Sequence, residues 1–408
     1  MADEAFGVSE ERMRQIFDRR IVRFLGFHRT VPVHSGPPTV VLLGGQMAAG
    51  KSSSLAGIIE RHGDAVTPIS PDDFRAFHPD YEQIMAERPH DLVELTAPAM
   101  RTWNAMAQQY AHEAGYPLVI EGTFGHSPGV LKIVDRMAHT PESGLHPGFE
   151  AEVVGVAVSE YRSRLDMVGR YLSHPPGQGR WVPAEAHDRV YAAVPETMDA
   201  LEADENVRRV IVTDRSGTVH YDNTRGEDGA WLHPPGAGEA LKQARSEGQV
   251  PFGRQEAREW MASYWRYAES FAQRGEINTV TAPTMLALHT DADRIAPIAY
   301  ADDNAALEEH RRWQTMQKAV VLAGQRGADN SALPHSPGAF LGASSEERAA
   351  YAAAITQSGE RSQQVDAQAS EAVRRARQGM APPGQRPTAP RDQGRPRGRG
   401  GPDPGLER

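Results

Sequence analysis

Gly45 and the run Gly50-Lys51-Ser52 are separated by four residues, and they stand between an apolar, β-branched run from Thr39 to Leu43 and a segment with helical spacing. Phosphate groups are held by a concave ring of backbone N–H donors. A glycine-rich turn with permissive φ supplies that ring, and the positive N-terminal end of the next helix adds to it. On this reading the stretch Gly45, Gln46, Met47, Ala48, Ala49, Gly50, Lys51, Ser52 and Ser53 cradles the phosphates of a nucleotide. Lys51 reaches the β- and γ-phosphates, and the Ser52 hydroxyl is the magnesium ligand. A chain with 38 glycines can match such a pattern by chance. The strand before it and the helix after it argue for a genuine P-loop. Lys51 is also one of only four lysines, with Lys132, Lys242 and Lys318, in a chain that otherwise uses arginine.

Other residues stand where an open parallel sheet does its chemistry, beyond the carboxyl ends of strands. Val66 to Ile69 reads as a second short strand and runs into Ser70-Pro71-Asp72-Asp73. In isolation the two aspartates would cap a helix. Beside a P-loop, Asp72 is instead placed to accept or orient the proton of an acceptor hydroxyl. Tyr116 to Glu121 is a strand ending in Glu121-Gly122-Thr123, where Glu121 and Thr123 become candidate substrate or outer-sphere magnesium contacts. Arg170 and Arg180 flank a Pro/Gly-bounded segment, and guanidinium groups that close on a transferring phosphoryl group neutralise its equatorial oxygens. Arg162 and Arg164 read as residues that solvate a helix. His289, Asp291 and Asp293 could be drawn as metal ligands, but without a second cluster they read as an exposed loop or turn.

The elements that must hold these groups follow from periodicity. Ser9 caps a helix carrying Ile16, Phe17, Ile21, Phe24 and Leu25, and this helix packs on the core. A helix from about Thr96 to Ala114, a strand from Glu152 to Val158, a helix from Tyr161 to Leu172 and a last strand from Arg208 to Thr213 continue the alternation. The fold class is α/β, a parallel sheet with helices on both faces and right-handed crossovers. Beyond Tyr221 the helices Ala237 to Glu247, Arg254 to Arg274 and Ala301 to Leu322 form an extension. The aromatic stripe Trp260, Tyr264, Trp265, Tyr267 and Phe271 is its packing face. The domain plan is a lead-in over 1–38, a P-loop domain over 39–224, a helical extension over 225–325 and a low-complexity tail over 326–408. In the tail Ser345 to Ala376 is a marginal helix, and Pro382 to Arg408 lacks the apolar content to order.

Composition narrows the function. With no cysteine there is neither a disulfide framework nor a thiolate metal site. No apolar run is long enough to cross a bilayer and the first residues are acidic, so a cytoplasmic, membrane-free protein is expected. The net charge of −10 argues against general nucleic-acid binding, except through the basic tail.

Together, the P-loop, the His78-Pro79 segment and Ile120-Glu121-Gly122-Thr123 resemble the zeta toxin family, P-loop kinases of toxin–antitoxin systems. The resemblance spans about Val40 to Asp222. It implies an adenylate-kinase-like fold, ATP or GTP with Mg2+, and phosphorylation of UDP-N-acetylglucosamine on its sugar 3′-hydroxyl. It places the Walker lysine on Lys51, the catalytic aspartate on Asp72 and the strand-end glutamate on Glu121. The two phosphate-clamping arginines fall on Arg170, in Gly169-Arg170-Tyr171, and on Arg180, which opens a motif matched in full through Ala186-His187-Asp188. An antitoxin partner is implied by analogy alone. Two departures fall on the acceptor side: Ala105, beside Asn104, stands where relatives carry a sugar-contacting glutamate. Phe124-Gly125-His126-Ser127 stands where a basic residue commonly follows the Glu-Gly-Thr step. The readings kept beside this one are a P-loop kinase for another small molecule or an RNA end, and a non-catalytic nucleotide-binding or adaptor protein.

Overall fold

A computed structural model describes residues 6–27, 36–63, 66–88, 91–176 and 179–327. The expected marginal helix and the basic tail lie outside the described residues. In chain order the elements begin with α1 (Glu10–Ile16), which runs on through a π-helical turn, Phe17–Ile21, to Phe24. Then come β1 (Thr39–Gly44), α2 (Lys51–His62), β2 (Thr67–Ile69), a 3-10 helix (Pro71–Phe77), α3 (Tyr81–Glu87), α4 (Leu92–Ala114) and β3 (Leu118–Glu121). Next are α5 (Ser127–Ala138), β4 (Glu150–Ala157), α6 (Glu160–Leu172), α7 (Ala184–Ala203), β5 (Val207–Asp214) and β6 (Val219–Thr224). The extension comprises α8 (Ala237–Ala244), α9 (Arg254–Gln273), α10 (Ala282–Ala299) and α11 (Asn304–Gln325).

The six strands lie in the order β2-β3-β1-β4-β5-β6. β1 is central, with parallel neighbours β3 and β4, and its residues Val40 to Leu43 are fully buried. Strands covered on both faces carry near-continuous apolar runs, which is why Val-Val-Leu-Leu precedes the loop. The chain leaves β1 for β2 and β3 on one side and reaches β4 on the other. That reversal opens a crevice at the carboxyl end of β1, where ligands bind in sheets of this type.

The structure corrects three expectations. Arg208 to Thr213 is not the last strand, because β6 returns antiparallel to β5. The turn between them is built on Asp214, whose Oδ1 accepts the N–H groups of Ser216 at 2.8 Å and Thr218 at 3.0 Å, with Gly217 at φ 89°. His289, Asp291 and Asp293 are on α10 and not in an exposed loop, with His289 and Asp291 buried. Pro283 opens α10 and Pro297 lies inside it, so its boundaries carry turn signals that hide a helix in the sequence. Arg164 does not solvate α6. It is buried, and its guanidinium binds Asp291, Asp188 and Glu160.

The N-terminal helix behaves as its pattern predicts. Ser9 caps it by accepting the Arg12 N–H at 3.3 Å; Ile16, Phe17, Ile21 and Leu25 are buried against α4, and Trp103 donates to the Met13 carbonyl at 2.9 Å. The aromatic stripe of α9 is likewise a packing face: Trp260, Tyr264, Trp265 and Phe271 join Tyr161, Leu165, Val168 and Tyr171 of α6 in a second apolar core. The extension is thereby fixed to the helix that carries Arg170.

This core holds two histidines that burial keeps neutral, His289 pushed down to about 3 and His310 to about 4. His289 takes a bond with Tyr264, whereas neither ring nitrogen of His310 has a hydrogen-bond partner among the described residues. Below the ordinary histidine range the unfolded chain therefore binds more protons than the folded one, so stability is lost as the pH falls. Asp291, which burial raises to about 6 against the pull of Arg164, acts in the opposite sense, as a single group against two. The net expectation is a loss on the order of 2 kcal/mol between neutrality and about pH 5, measurable as a falling urea midpoint. A flat midpoint across that window would contradict it.

Candidate active site

At the carboxyl end of β1 the chain turns through Gly45 to Ser53. Gly50 sits at φ 84°, the left-handed cap that lets Lys51 begin α2, and a Cβ there would lie 2.8 Å from Arg215 Nε. The loop closes on itself by Ala49 N–H to the Gln46 carbonyl at 3.2 Å and Ser53 N–H to the Gly50 carbonyl at 3.1 Å. Met47 is half-buried, while Ala48, at φ 57°, and Ala49 are buried. Gln46 is wholly buried and anchored at both ends of its amide. Nε2 donates to the Val158 carbonyl at 2.8 Å and to Ser163 Oγ at 3.3 Å, and Oε1 accepts from Arg245 Nη2 at 2.8 Å. Bonded amide ends fix the loop shape before any ligand arrives.

Lys51 Nζ donates to the carbonyls of Gly45 at 3.2 Å and Gln46 at 3.3 Å and lies 4.0 Å from Glu121. Burial lowers its ammonium below the ordinary value. Glu121 and Asp72 pull it up, and Arg170 and Arg180 push it down. The sequence-predicted residues thus gather within electrostatic reach of one amine. Ser52 is exposed in the first turn of α2. No three His, Asp or Glu side chains form a metal cage among the described residues. A phosphate-bound magnesium needs none, because one hydroxyl and the phosphate oxygens serve it, so the donor set fits that ion.

Asp72 lies in the first turn of the 3-10 helix, whose N-cap is Ser70, and so it caps nothing with its side chain. Its Oδ1 accepts from Arg75 Nε at 3.0 Å and its Oδ2 pairs with Arg180. Burial alone would raise the carboxyl, but Arg180 and Arg75 outweigh it and hold Asp72 below the usual carboxylate range. Arg75 is itself held by the Val93 carbonyl at 2.9 Å and Thr96 Oγ1 at 2.7 Å, so it positions the carboxylate from a fixed point. Arg170 is exposed at the end of α6 and pairs with no carboxylate among the described residues. Glu121 is half-buried at the end of β3 and Thr123 is exposed just beyond it. Next to them the Phe124 ring lies on the P-loop strand, where a Cβ on Gly44 would come within 2.1 Å of it. On the acceptor side Ala105 is exposed, and Asn104 Oδ1 is buried without a hydrogen-bond partner among the described residues.

The motif around Arg180 gains its physical reason from tertiary contacts. Ser163 Oγ and His187 Nε2 are 2.8 Å apart, and His187 Nδ1 is 2.8 Å from Asp188 Oδ1. The order resembles a hydrolytic triad, but Ser163 and His187 are wholly buried, and Ser163 bonds Gln46 instead of facing a substrate. The three side chains brace the arginine segment against the P-loop. Trp181 packs edge-on against the stacked rings of Tyr171 and Phe271, with ring centroids 5.1 and 5.7 Å away, and Arg274 donates to the Leu172 carbonyl at 2.7 Å. The extension therefore holds both arginine-bearing segments. Asp291→Ala is expected to destabilise the fold by about 3 kcal/mol, because it leaves the buried Arg164 charge without its closest partner. Denaturant unfolding measures this, and a change under about 1 kcal/mol would contradict it.

Sequence reasoning missed Arg75, Arg215 and Arg245. Arg75 could have been found from its place three residues after Asp72. Arg215 donates to the Ala48 carbonyl at 2.7 Å and pairs with Asp166, and nothing local in the sequence marks it or Arg245.

Residues 27–226 match the family model described as zeta toxin. A protein named toxin zeta from Streptococcus pyogenes is 27% identical over 187 residues, covering 45% of this chain and 63% of its own length, so the matched region spans less than two thirds of that relative. Toxin PezT from Streptococcus pneumoniae serotype 4 is 27% identical over 192 residues, covering 46% of this chain and 73% of its own length. A solved structure of the pneumococcal PezAT toxin–antitoxin system aligns with a TM-score of 0.53 at 20% identity, covering 64% of this chain and 98% of that one, a likeness of fold.

Proposed function

Since residues 27–226 make this chain a member of the zeta toxin family, we propose that it transfers the terminal phosphoryl group of ATP or GTP to a hydroxyl of a nucleotide sugar, with UDP-N-acetylglucosamine as the first candidate. The observation that carries this reading is the convergence of Lys51, Arg170, Arg180 and Asp72 at the mouth of one P-loop. In the reaction the acceptor oxygen attacks the γ-phosphorus and the bond from that phosphorus to the β,γ-bridging oxygen breaks. The nucleoside diphosphate leaves with the electron pair, and the hydroxyl proton passes to Asp72. The transition state is loose, so positioning and charge neutralisation supply most of the rate.

Lys51 turns from the loop carbonyls to the phosphate oxygens, and Arg170 brings a guanidinium that no carboxylate among the described residues holds. Arg180 serves two stations. Paired with Asp72 it keeps the carboxylate ionised and weakly basic; once it moves to the phosphoryl oxygens, the largest influence depressing Asp72 is removed, and the base strengthens as the donor is clamped. Glu121, 4.0 Å from Lys51, orients the lysine and faces the acceptor side with Thr123. Ser52 would hold a magnesium ion, which would offset the negative charge of the phosphates.

The test is to incubate the protein with ATP, magnesium and UDP-N-acetylglucosamine, then with a metabolite extract, and to follow phosphorylated products by mass spectrometry. A product of the named sugar nucleotide supports the full reading. A product from another hydroxyl compound keeps the phosphotransferase and replaces the acceptor, and nucleotide binding without any transfer overturns both. Ala105 and Phe124 make the acceptor the part most exposed to this test. The PezAT system also motivates an antitoxin partner that covers the nucleotide crevice. Co-expression with the product of a neighbouring gene should relieve growth arrest if that is so. A cytoplasmic site of action goes with these substrates; no helix among the described residues is long and apolar enough to cross a membrane.

A further inference from the structure

Arg245 follows α8 outside the stretch that matches the family model, yet it ends beneath the P-loop. It is 1% exposed. Its Nη1 donates to the Tyr191 carbonyl at 2.8 Å, its Nη2 donates to Gln46 Oε1 at 2.8 Å, and its guanidinium carbon lies 4.2 Å from the Tyr191 ring centroid. Among the described residues Nε has no hydrogen-bond partner and no carboxylate is in ion-pair contact with this cation, although the Glu247 charge favours it from farther off. Burial lowers Arg245 to about 10, which leaves it charged at neutral pH.

A buried charge with no carboxylate in contact is costly, and a fold that needed only a bond to Gln46 could make it with a neutral donor. Two features set this cation apart from a packing residue. It is the partner that holds Gln46 Oε1, while the other end of the same amide is tied to Val158 and Ser163. It also carries a positive charge to the underside of a loop built to receive several negative ones, a place where a fixed field is screened little by solvent.

We infer that Arg245 is a positioning residue for nucleotide binding: through Gln46 it fixes the crest of the P-loop in its anion-receiving shape, and its charge adds to the field that favours a polyphosphate. The inference rests on the phosphotransferase reading only in requiring that the loop bind a nucleotide. It gives α8 a task within the site, and with it the segment that joins the P-loop domain to the extension.

Isothermal titration of the full chain with ATP and magnesium tests it, alongside the thermal midpoint of the free protein. Arg245→Met is expected to raise the nucleotide Kd about tenfold, the scale of one charge-assisted hydrogen bond. Arg245→Lys keeps the charge but spans only one of the two acceptors, and should fall between Arg245→Met and the wild type. Gln46→Leu should weaken binding as well, and adding Arg245→Met to it should cost less than Arg245→Met costs in the wild type, because the shared contact is already gone and only the charge remains to be lost. A residue that merely packs would lower the free-protein midpoint and leave Kd alone; that result overturns the inference, as do additive effects of the two substitutions. If Arg245→Met does not fold, Arg245→Lys decides by the same criterion, an unchanged Kd counting against the inference. If the wild type binds no nucleotide, the phosphotransferase reading itself falls, an outcome distinct from binding that ignores Arg245.

Discussion

Lys51→Met is expected to lower phosphoryl transfer by about a thousandfold or more, the range seen when a charge that acts on the transition state is removed from a water-poor site. The substitution keeps the length and apolar stem of the side chain, so the buried part of its contact with the loop survives. The ammonium is what is lost. In the free protein that ammonium is occupied by the Gly45 and Gln46 carbonyls and is 4.0 Å from Glu121. Methionine leaves the carbonyls without this donor, a modest cost beside the loss of charge at the γ-phosphate. Nucleotide affinity should fall far less than turnover, since the backbone donors of the loop remain. Single-turnover transfer measured at saturating nucleotide separates the two effects, and a rate within tenfold of wild type would show that Lys51 does not stabilise the transferring phosphoryl group.

Asp72→Asn is expected to lower turnover by about a hundredfold or more while leaving nucleotide binding close to normal, in line with the loss of a positioned proton acceptor. The amide is nearly the same shape and can still accept from Arg75 through its oxygen. It cannot take the acceptor's proton, and it no longer offers Arg180 a negative partner. In the wild type Arg180 and Arg75 hold the carboxyl below the ordinary range against the effect of burial, so Asp72 is ionised throughout the neutral region. Its acid limb in a pH–rate profile should therefore lie below that of an ordinary aspartate before Arg180 moves, and higher once the guanidinium has gone to the phosphate. The profiles of kcat/KM and of kcat read those two states. Undiminished turnover in the Asp72→Asn variant, or its failure to bind nucleotide at all, would contradict the assignment.

The parts of the site that were legible in the sequence are those whose physics is local. The apolar run, Gly45, Gly50 and Lys51 form a motif because a phosphate cradle needs a strand end, a residue at positive φ and a helix start within a few residues of one another. Asp72 and Glu121 were found for a related reason: each lies just past a run that reads as a buried strand. The helices missed between strands, α5 and α7, and the hairpin that adds β6 show the limit of the same method. Prolines and short polar turns mark boundaries, without saying whether the chain goes on as a helix, a loop or a returning strand.

The arginines mark the division most clearly. Arg162, Arg164, Arg170, Arg180, Arg215 and Arg245 are alike in composition and differ only in what surrounds them. Motif context separated Arg170 and Arg180 from the rest, and the structure gives Arg180 its contact with Asp72. No periodicity could say that Arg164 is locked to Asp291, 127 residues away, or that Arg245 holds Gln46 across 199 residues. The same holds for His289 and Asp291, whose spacing suggested an exposed turn and which packing turned into buried parts of a helix. By itself the sequence determined that this chain builds an α/β sheet around a glycine-rich P-loop turn, because backbone conformation and strand burial are written in neighbouring residues. Only the tertiary structure decided which charges face the turn, which brace it from beneath and which hold the extension in place, because a buried charge is defined by partners that the fold brings from far along the chain.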